Sequence, residues 1–122
     1  MTPLLTAVAG SAGAVVRFVL DGHIRARYNH PFPWATFYIN VSGSLLLGIA
    51  SGALLAHKGF TNAEVIIGTG FCGGYTTFST ASFETVRLLE RREYARAAWN
   101  AAGGLLATVA AAAVGIALGR HL

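Results

Sequence analysis

Charged residues and cysteine are scarce in this sequence of 122 residues. Asp, Glu, Lys and Arg make up 11% of the chain, against roughly 25% in an ordinary soluble domain. Because 54% of the residues are hydrophobic, we expect the chain to lie in a membrane. Cys72 is the single cysteine, which excludes a disulfide within the chain and a metal centre built on several cysteines. The few carboxylates and histidines form no catalytic arrangement or ligand-like spacing, so no enzyme activity is expected.

The charge balance is basic, with nine Lys and Arg against five Asp and Glu. A nucleic-acid-binding groove needs a soluble basic surface, and this chain has no segment that could form one, so a nucleic-acid partner is not expected. Lys and Arg more commonly mark the cytoplasmic ends of membrane helices. The N-terminus lacks the basic stretch of a signal peptide, so we expect the first apolar segment to stay in the bilayer.

Four segments of the chain are long enough to cross a bilayer, which takes about 20 mostly apolar residues. We therefore predict an all-α, multi-pass protein of the cell membrane, with a single four-helix transmembrane domain over residues 1–122. The predicted spans are 4–27, 33–56, 62–92 and 96–120. Gly-x-x-x-Gly pairs at 48/52, 70/74 and 115/119 let helix backbones approach closely in lipid, which predicts a compact bundle.

Glycines and hydroxyls interrupt the third predicted span at residues 68–80. We predict that residues 72–77 break the helix at the membrane midplane. Because lipid cannot satisfy open backbone groups, such a break has to face protein or water, and transporters place their ion sites at breaks of this kind. The segment therefore predicts a buried element that handles an ion.

Polar residues in the second predicted span and at this break admit two interpretations each. The amide of Asn40 can donate two hydrogen bonds, either to an anion that loses its water or to a neighbouring helix, where the bond would contribute about 1 kcal/mol. Thr76 or Thr77 is a candidate cap for the second half of the broken helix. That role is compatible with a pore role for Ser79 and Thr80.

The main alternative to a channel is a small four-helix multidrug/cation antiporter. Proton-coupled exchange needs a carboxylate inside the membrane, ideally in the first span, whose only acidic residue is Asp21, at its edge. Asp21 is four residues from Arg17 and can face it, and Glu84 can pair with Arg87 or Arg17. A scaffold without transport is also disfavoured, because polar residues inside a membrane are costly unless they are used.

Three motifs resemble the fluoride channel family of the CrcB/Fluc type over essentially the whole chain. They are Gly10-Ser-Ala-Gly-Ala-Val-Val-Arg-Phe18, Ala35-Thr-Phe-Tyr-Ile-Asn-Val-Ser-Gly43 and Gly70-Phe-Cys-Gly-Gly-Tyr-Thr-Thr-Phe-Ser-Thr80. The third is the most specific of them. The resemblance implies an antiparallel, dual-topology dimer with two passive fluoride pathways, through which the membrane potential expels fluoride from the cytoplasm.

The resemblance also implies roles for individual residues. In the fluoride pathway, Asn40 is expected to act as a ligand and Phe78 to offer the positive edge of its ring, together with Thr36, Ser79, Thr80, Phe83 and Thr108. Arg17 is expected at the vestibule and Glu84 at the mouth. The backbone carbonyls of Gly73 and Thr76, from both subunits, are expected to hold a central structural sodium ion.

Two positions depart from the family's pattern. The family has a second pore phenylalanine three residues after Phe78, and here that residue is Ala81. Phe83 cannot replace it by simple geometry, because two residues rotate a side chain by about 200° around a helix. In the fourth span Gly104 stands where another polar group is expected, with Asn100 one turn earlier.

The basic residues are distributed unevenly between the two predicted sides of the membrane. Seven of the nine lie in the first and third loops and the adjoining helix ends, and Lys58 and Arg120 lie on the opposite side. This bias favours one orientation with both termini outside, whereas a homodimer of opposed subunits needs near balance. The resemblance predicts an antiparallel homodimer, and the charge bias favours pairing with an oppositely biased homologue.

Overall fold

The computed structural model describes residues 2–27, 33–56, 62 and 65–121, and all regular secondary structure among them is helical. Helix α1 is Thr2–Arg27 and helix α2 is Trp34–Ala56. Helix α3 has wide π-type turns over Val65–Cys72 and continues as an α-helical turn over Gly73–Tyr75. Helix α4 is Phe78–Glu90, and helix α5 is Tyr94–Arg120, with π-type turns at Trp99–Gly103.

Three helices are long and apolar enough to cross a membrane: Thr2–Arg27, Trp34–Leu54 and Tyr94–Arg120. The prediction of an all-helical, multi-pass membrane protein is confirmed at this level. The remaining predicted span, 62–92, corresponds to α3 and α4, with residues 63 and 64 outside the described part of the chain, as is Lys58. The number of four spans and the position of the interruption in the bilayer stay predictions.

Helices α2 and α5 pack with their backbones in direct contact. Carbonyl oxygens of α5 occupy the space that a Cβ atom at Gly48 or Gly52 would need. In the same way, carbonyl oxygens of α2 occupy the space of a Cβ atom at Gly115 or Gly119. Two of the predicted Gly-x-x-x-Gly pairs therefore face each other, and we call this contact the α2–α5 seam.

The third Gly-x-x-x-Gly pair packs against α1. A Cβ atom at Gly70 would lie 2.8 Å from the carbonyl oxygen of Thr6, and one at Gly74 would collide with that of Gly10. Gly13 is buried, and a Cβ there would collide with the backbone of α3. This α1–α3 seam fixes the end of α3, and so the start of the interruption that follows it.

Large apolar side chains on α1 and α5 are mostly exposed in the single chain, including Val8, Phe18, Leu106 and Val109. Helices that face lipid do not need to bury such side chains, because lipid tails are as apolar as leucine. The exposed apolar surface is therefore consistent with a membrane protein.

Candidate functional site

An open groove of about 700 Å³ is lined by residues of α2, α3, α4 and α5 and of the segment between α3 and α4. Six of the residues predicted for ion handling line it: Thr36, Asn40, Gly73, Thr76, Phe78 and Thr108. Five others do not: Arg17, Ser79, Thr80, Phe83 and Glu84. The structure thus brings together residues from three predicted spans that are far apart in the sequence.

The segment between α3 and α4 consists of Thr76 and Thr77, both in extended conformations. Their φ and ψ angles are −78° and 159° for Thr76 and −146° and 115° for Thr77. Two consecutive extended residues end one helix and start another, which removes several hydrogen bonds between successive turns. Since Thr76 and Thr77 line the groove, the backbone groups that have left the helical pattern lie beside it.

Asn40 supplies the hydrogen bonds that Thr77 loses by leaving the helix. The Asn40 Nδ2 atom donates to the Thr77 carbonyl oxygen at 2.9 Å, and the Thr77 amide donates to Asn40 Oδ1 at 2.8 Å. The side chain therefore pairs with both polar backbone groups of one residue. One of the two hydrogens on Nδ2 is used in this pair, and the other is available for a second acceptor.

The carbonyl groups at the end of α3 acquire partners of several kinds. The backbone amide of Thr76, at 2.9 Å, and its hydroxyl, at 2.7 Å, both donate to the carbonyl oxygen of Cys72. The Arg17 Nε atom lies 3.4 Å from the Gly74 carbonyl oxygen and donates to it. In a continuous helix the Thr77 amide would donate to Gly73, but Asn40 accepts it instead. The Gly73 carbonyl has thus lost its ordinary helical donor.

The hydroxyl of Thr77 caps the start of α4. It accepts a hydrogen bond from the Thr80 amide at 3.1 Å and donates to the Thr80 hydroxyl at 3.0 Å. This is the ordinary arrangement of a threonine at a helix N-cap. The predicted capping role of Thr77 is therefore confirmed. The Ser79 hydroxyl lies 3.5 Å from that of Thr77, outside the lining of the groove.

The side chains of the two phenylalanines of α4 are largely exposed in the single chain. Phe78 lines the groove and is 87% exposed, and Phe83 is 60% exposed. The Arg87 guanidinium lies 5.6 Å from the centre of the Phe83 ring, within the range of a cation–π contact. Phe83 is therefore engaged by a charged side chain of its own helix, whereas Phe78 presents its ring beside the interruption.

The two other polar residues that were predicted and line the groove differ in burial. Thr36 is only 2% exposed, so it lies deep in the wall formed by α2. Thr108 is half-buried, and its hydroxyl donates to the Leu105 carbonyl at 3.0 Å. The hydroxyl of Thr108 has to rotate away from its own helix before it can donate to an ion.

Asn100 is a polar residue of the groove that the sequence-based site did not include. It is 7% exposed, and its Nδ2 atom donates to the Thr85 hydroxyl at 2.7 Å and to the Ala81 carbonyl at 3.2 Å. Thr85 in turn donates to the same Ala81 carbonyl at 2.9 Å. These bonds link α5 to α4 across the groove. The signal in the sequence is an asparagine within an apolar span, where an unused amide is costly.

The predicted partners of two charged residues are wrong. Asp21 accepts from Arg25, four residues further along α1, at 2.7 Å, rather than facing Arg17. Glu84 accepts from the same Arg25 at 2.9 Å, rather than from Arg87 or Arg17. One guanidinium therefore connects the end of α1 to α4, while Arg17 is directed to the backbone of α3.

Comparison with known proteins identifies the family. The family model described as "CrcB-like protein, Camphor Resistance (CrcB)" matches residues 4–116. The chain belongs to the CrcB family. It is 49% identical to "Fluoride-specific ion channel FluC 2" of Cutibacterium acnes over 100% of both chains. It is 47% identical to "Fluoride-specific ion channel FluC 1" of Leifsonia xyli subsp. xyli, over 98% of this chain and 89% of that one.

These matches confirm the family resemblance drawn from the three sequence motifs. All three motifs lie within the residues that the CrcB model covers. In this CrcB chain the second and third motifs meet in space, because Asn40 of one bonds to Thr77 of the other. The first motif reaches the same place through Arg17 and its bond to Gly74. Residues of all three motifs thus converge on the interruption between α3 and α4.

Proposed function

We propose that this chain is not an enzyme but the subunit of a fluoride-selective channel of the cell membrane. Fluoride leaves the cytoplasm passively through this channel, which lowers the toxicity of fluoride in the cell. The observation that carries the proposal is the 49% identity, over the whole of both chains, to a protein named as a fluoride-specific ion channel. The polar groove beside an interrupted helix supports it. A broken helix next to a cavity is where membrane proteins place ion sites.

The groups suited to a small dehydrated anion are neutral hydrogen-bond donors and the positive edges of aromatic rings. Asn40 retains one amide hydrogen after it pairs with Thr77, and we assign that hydrogen to fluoride. Phe78, beside it in the lining of the groove, offers the edge of its ring. Thr36 and Thr108 extend this pathway along the groove.

The predicted residues that do not line the groove can contact the ion only at the ends of the pathway, or in an assembly with a second subunit. Ser79, Thr80 and Phe83 lie on α4 beyond the groove of the single chain. We assign Arg17 to the vestibule and Glu84, whose carboxylate meets Arg25 at the end of α1, to the mouth.

We propose that a second subunit, packed antiparallel, completes the groove at the membrane midplane. Phe78 and Gly73 both line the groove and are exposed in the single chain, so a pathway formed here has one side missing. A backbone carbonyl without its helical donor, as that of Gly73, needs a protein or water partner if it lies at the depth of the bilayer. A second copy or an oppositely oriented homologue supplies the missing side.

The identity of this partner depends on charge. Seven of the nine basic residues belong to one predicted side of the membrane, which favours a single orientation of this chain. A homodimer needs both orientations. We therefore propose an antiparallel homodimer as the simplest assembly and a pair with a homologue of opposite bias as its alternative, which labelling of the two termini from each side of the membrane distinguishes.

The residues at the interruption also fit a structural sodium ion. Among the described residues, no group of three or more His, Cys, Asp or Glu could hold a metal ion, so a resident cation here needs other oxygen atoms. The Gly73 carbonyl has lost its helical donor to Asn40, and Thr76 lies beside it in the groove. These two carbonyls and their counterparts in a second subunit would hold the ion. Its positive charge would offset the repulsion between the four carbonyl oxygens.

The antiporter alternative finds no support in the positions of the acidic side chains that the structure describes. Proton-coupled transport needs a carboxylate that alternates between charged and neutral forms. Asp21 and Glu84 are both engaged by the guanidinium of Arg25 near the end of α1. Neither lines the groove.

The test is efflux of fluoride and of chloride from liposomes that contain the purified protein and its Asn40→Asp variant. Aspartate can still accept from the Thr77 amide but has no hydrogen to donate to the Thr77 carbonyl or to an anion. We expect fluoride efflux to fall roughly 10- to 100-fold, as for the loss of one hydrogen bond to an ion. Ser42→Ala, on the same helix but outside the groove, is the matched control and should retain the rate.

Two outcomes would contradict the proposal at different levels. Chloride efflux as fast as fluoride efflux in the unmodified protein would remove the assignment of a fluoride-selective channel. Full activity of Asn40→Asp would leave the channel in place and remove Asn40 from its pathway.

A further inference from the structure

The turn between α4 and α5 holds an arginine in an unfavourable backbone conformation. Among the described residues, Arg92 is the one non-glycine residue with a positive φ, at 60°. Its amide donates to the Leu89 carbonyl at 3.0 Å, and the Glu93 amide donates to that of Leu88 at 2.9 Å. This is the position just after a helix where glycine is usual, because a side chain is disfavoured at positive φ.

The charges at this turn are only partly neutralised. Glu93 accepts from Arg96, and Arg87 lies over the ring of Phe83. Arg91 and Arg92 are both exposed, and within the part of the chain that the structure describes neither has a carboxylate within 4.0 Å. Among the described residues, these two adjacent arginines are thus exposed and have no ion-pair partner. We call Arg91 and Arg92 the arginine turn.

Exposed aromatic residues follow the arginine turn, as is typical of a helix end at the level of the lipid headgroups. Tyr94, two residues after it, is 62% exposed, and Trp99 is 71% exposed. Tyr and Trp are enriched at the boundary between lipid and water. Five residues of helix rise by about 7 Å, so Trp99 lies roughly that far along α5 from Tyr94, toward the middle of the span.

We infer that the arginine turn binds the phosphate group of an anionic phospholipid headgroup. Guanidinium groups match phosphate oxygens with paired hydrogen bonds, and basic clusters at the end of a membrane helix attract anionic lipids. A glycine would form the same turn without strain, whereas the arginine at residue 92 adds a second positive charge to it. The inference does not depend on which ion the protein conducts.

The test uses Trp99 as a local reporter of bound lipid. In a Trp34→Phe background, Trp99 is the single tryptophan, and phospholipid with brominated acyl chains quenches its fluorescence when it binds nearby. We expect brominated phosphatidylglycerol, titrated into phosphatidylcholine vesicles, to quench Trp99 at lower mole fraction than brominated phosphatidylcholine. Arg92→Gly should raise the half-quenching mole fraction of phosphatidylglycerol about fivefold, as for the loss of one arginine at an anionic surface.

Two further variants make the result specific to the arginine turn. Arg91→Gln should give a similar loss without altering the backbone at residue 92, and covers the case in which Arg92→Gly disturbs the turn. Arg120→Gln removes one exposed charge at the opposite end of α5 and should leave the titration unchanged. Equal quenching by the two lipids, an unchanged titration in both Arg91→Gln and Arg92→Gly, or displacement by millimolar inorganic phosphate at constant ionic strength would each overturn the inference.

Discussion

The two glycine seams and the groove lie on neighbouring parts of the same helices but are held together in different ways. In the seams, helix backbones touch directly, and the space for a side chain at Gly48, Gly74 or Gly115 is already filled by another backbone. In the groove, the backbone of Thr77 has left its helix and is satisfied by the side chain of Asn40. The seams therefore depend on the absence of side chains, and the groove depends on particular ones.

This difference predicts how each region responds to substitution. A backbone cannot move aside as a flexible side chain can, so an added atom in a seam strains two helices at once. A hydrogen bond in the groove contributes about 1 kcal/mol, so its loss leaves the fold in place and changes what the groove can bind. Changes in the seams should remove folded protein, and changes in the groove should alter a protein that still folds.

The largest expected effect is that of Gly74→Ala in the α1–α3 seam. Alanine is favoured over glycine in a helix by about 1 kcal/mol, yet the new methyl group would collide with the carbonyl oxygen of Gly10. We expect a net loss of stability of about 1–3 kcal/mol, measured as a lower midpoint of thermal unfolding in detergent and a smaller yield of monodisperse protein.

Gly104→Ala is the matched control for that substitution. A Cβ atom at Gly104 meets nothing within 4 Å, so only the gain in helix propensity should remain and the midpoint should not fall. If Gly74→Ala is as stable as the original protein, the contact between α1 and α3 is looser than the structure shows. The distinction between seam and groove would then lose its basis.

The sequence predicts the seams better than the groove, because the two depend on different distances along the chain. The spacing of Gly48 and Gly52 within one helix is enough to predict a surface for close packing. The bond between Asn40 and Thr77 joins residues 37 apart, and nothing near Asn40 distinguishes that role from a role in binding an anion. The structure shows the first role and leaves a hydrogen for the second.

The same limit explains the wrong partners of the charged residues. Arg87 and Glu84 are three residues apart, so helix geometry favours a contact between them. The actual partner, Arg25, is 59 residues away and is brought to Glu84 by the packing of α1. Asn100 of α5, likewise, bonds to Ala81 and Thr85 of α4. Its role depends on which face of α5 meets α4.

A smaller effect should follow from breaking the link between Asn100 and Thr85 across the groove. Asn100→Leu and Thr85→Val each remove one side of a 2.7 Å hydrogen bond, and in a membrane protein such a bond contributes about 0.6–1 kcal/mol. We expect each variant to remain folded, and the double variant to cost less than the sum of the two, since the second change removes a partner that is already lost. Unfolding midpoints of the four proteins measure this coupling.

Thr85→Ser keeps the hydroxyl and serves as the control for that cycle. Fluoride efflux should change in Asn100→Leu more than in Thr85→Ser. Both residues line the groove, but only Asn100→Leu removes the hydrogen bonds that join α5 to α4 there. Additive losses of stability in the double variant would show that the two side chains act separately, and the groove would then resemble the seams in depending on packing alone.

The smallest expected effect is that of the ion pairs at the end of α1, which belong to neither region. Arg25 holds both Asp21 and Glu84, and its side chain is 47% exposed whereas that of Glu84 is 15% exposed. Because the guanidinium remains partly hydrated, each pair contributes on the order of 1 kcal/mol. Arg25→Gln should cost more than Glu84→Gln, because it leaves two carboxylates without a partner whereas the second change leaves Arg25 paired with Asp21. Both losses should shrink as salt is raised, measured as unfolding midpoints at low and high ionic strength. Arg27→Gln, an exposed change at the same helix end, should have no comparable effect. If it lowers the unfolding midpoint as much as Arg25→Gln does, Arg25 contributes through its positive charge and not through its two ion pairs.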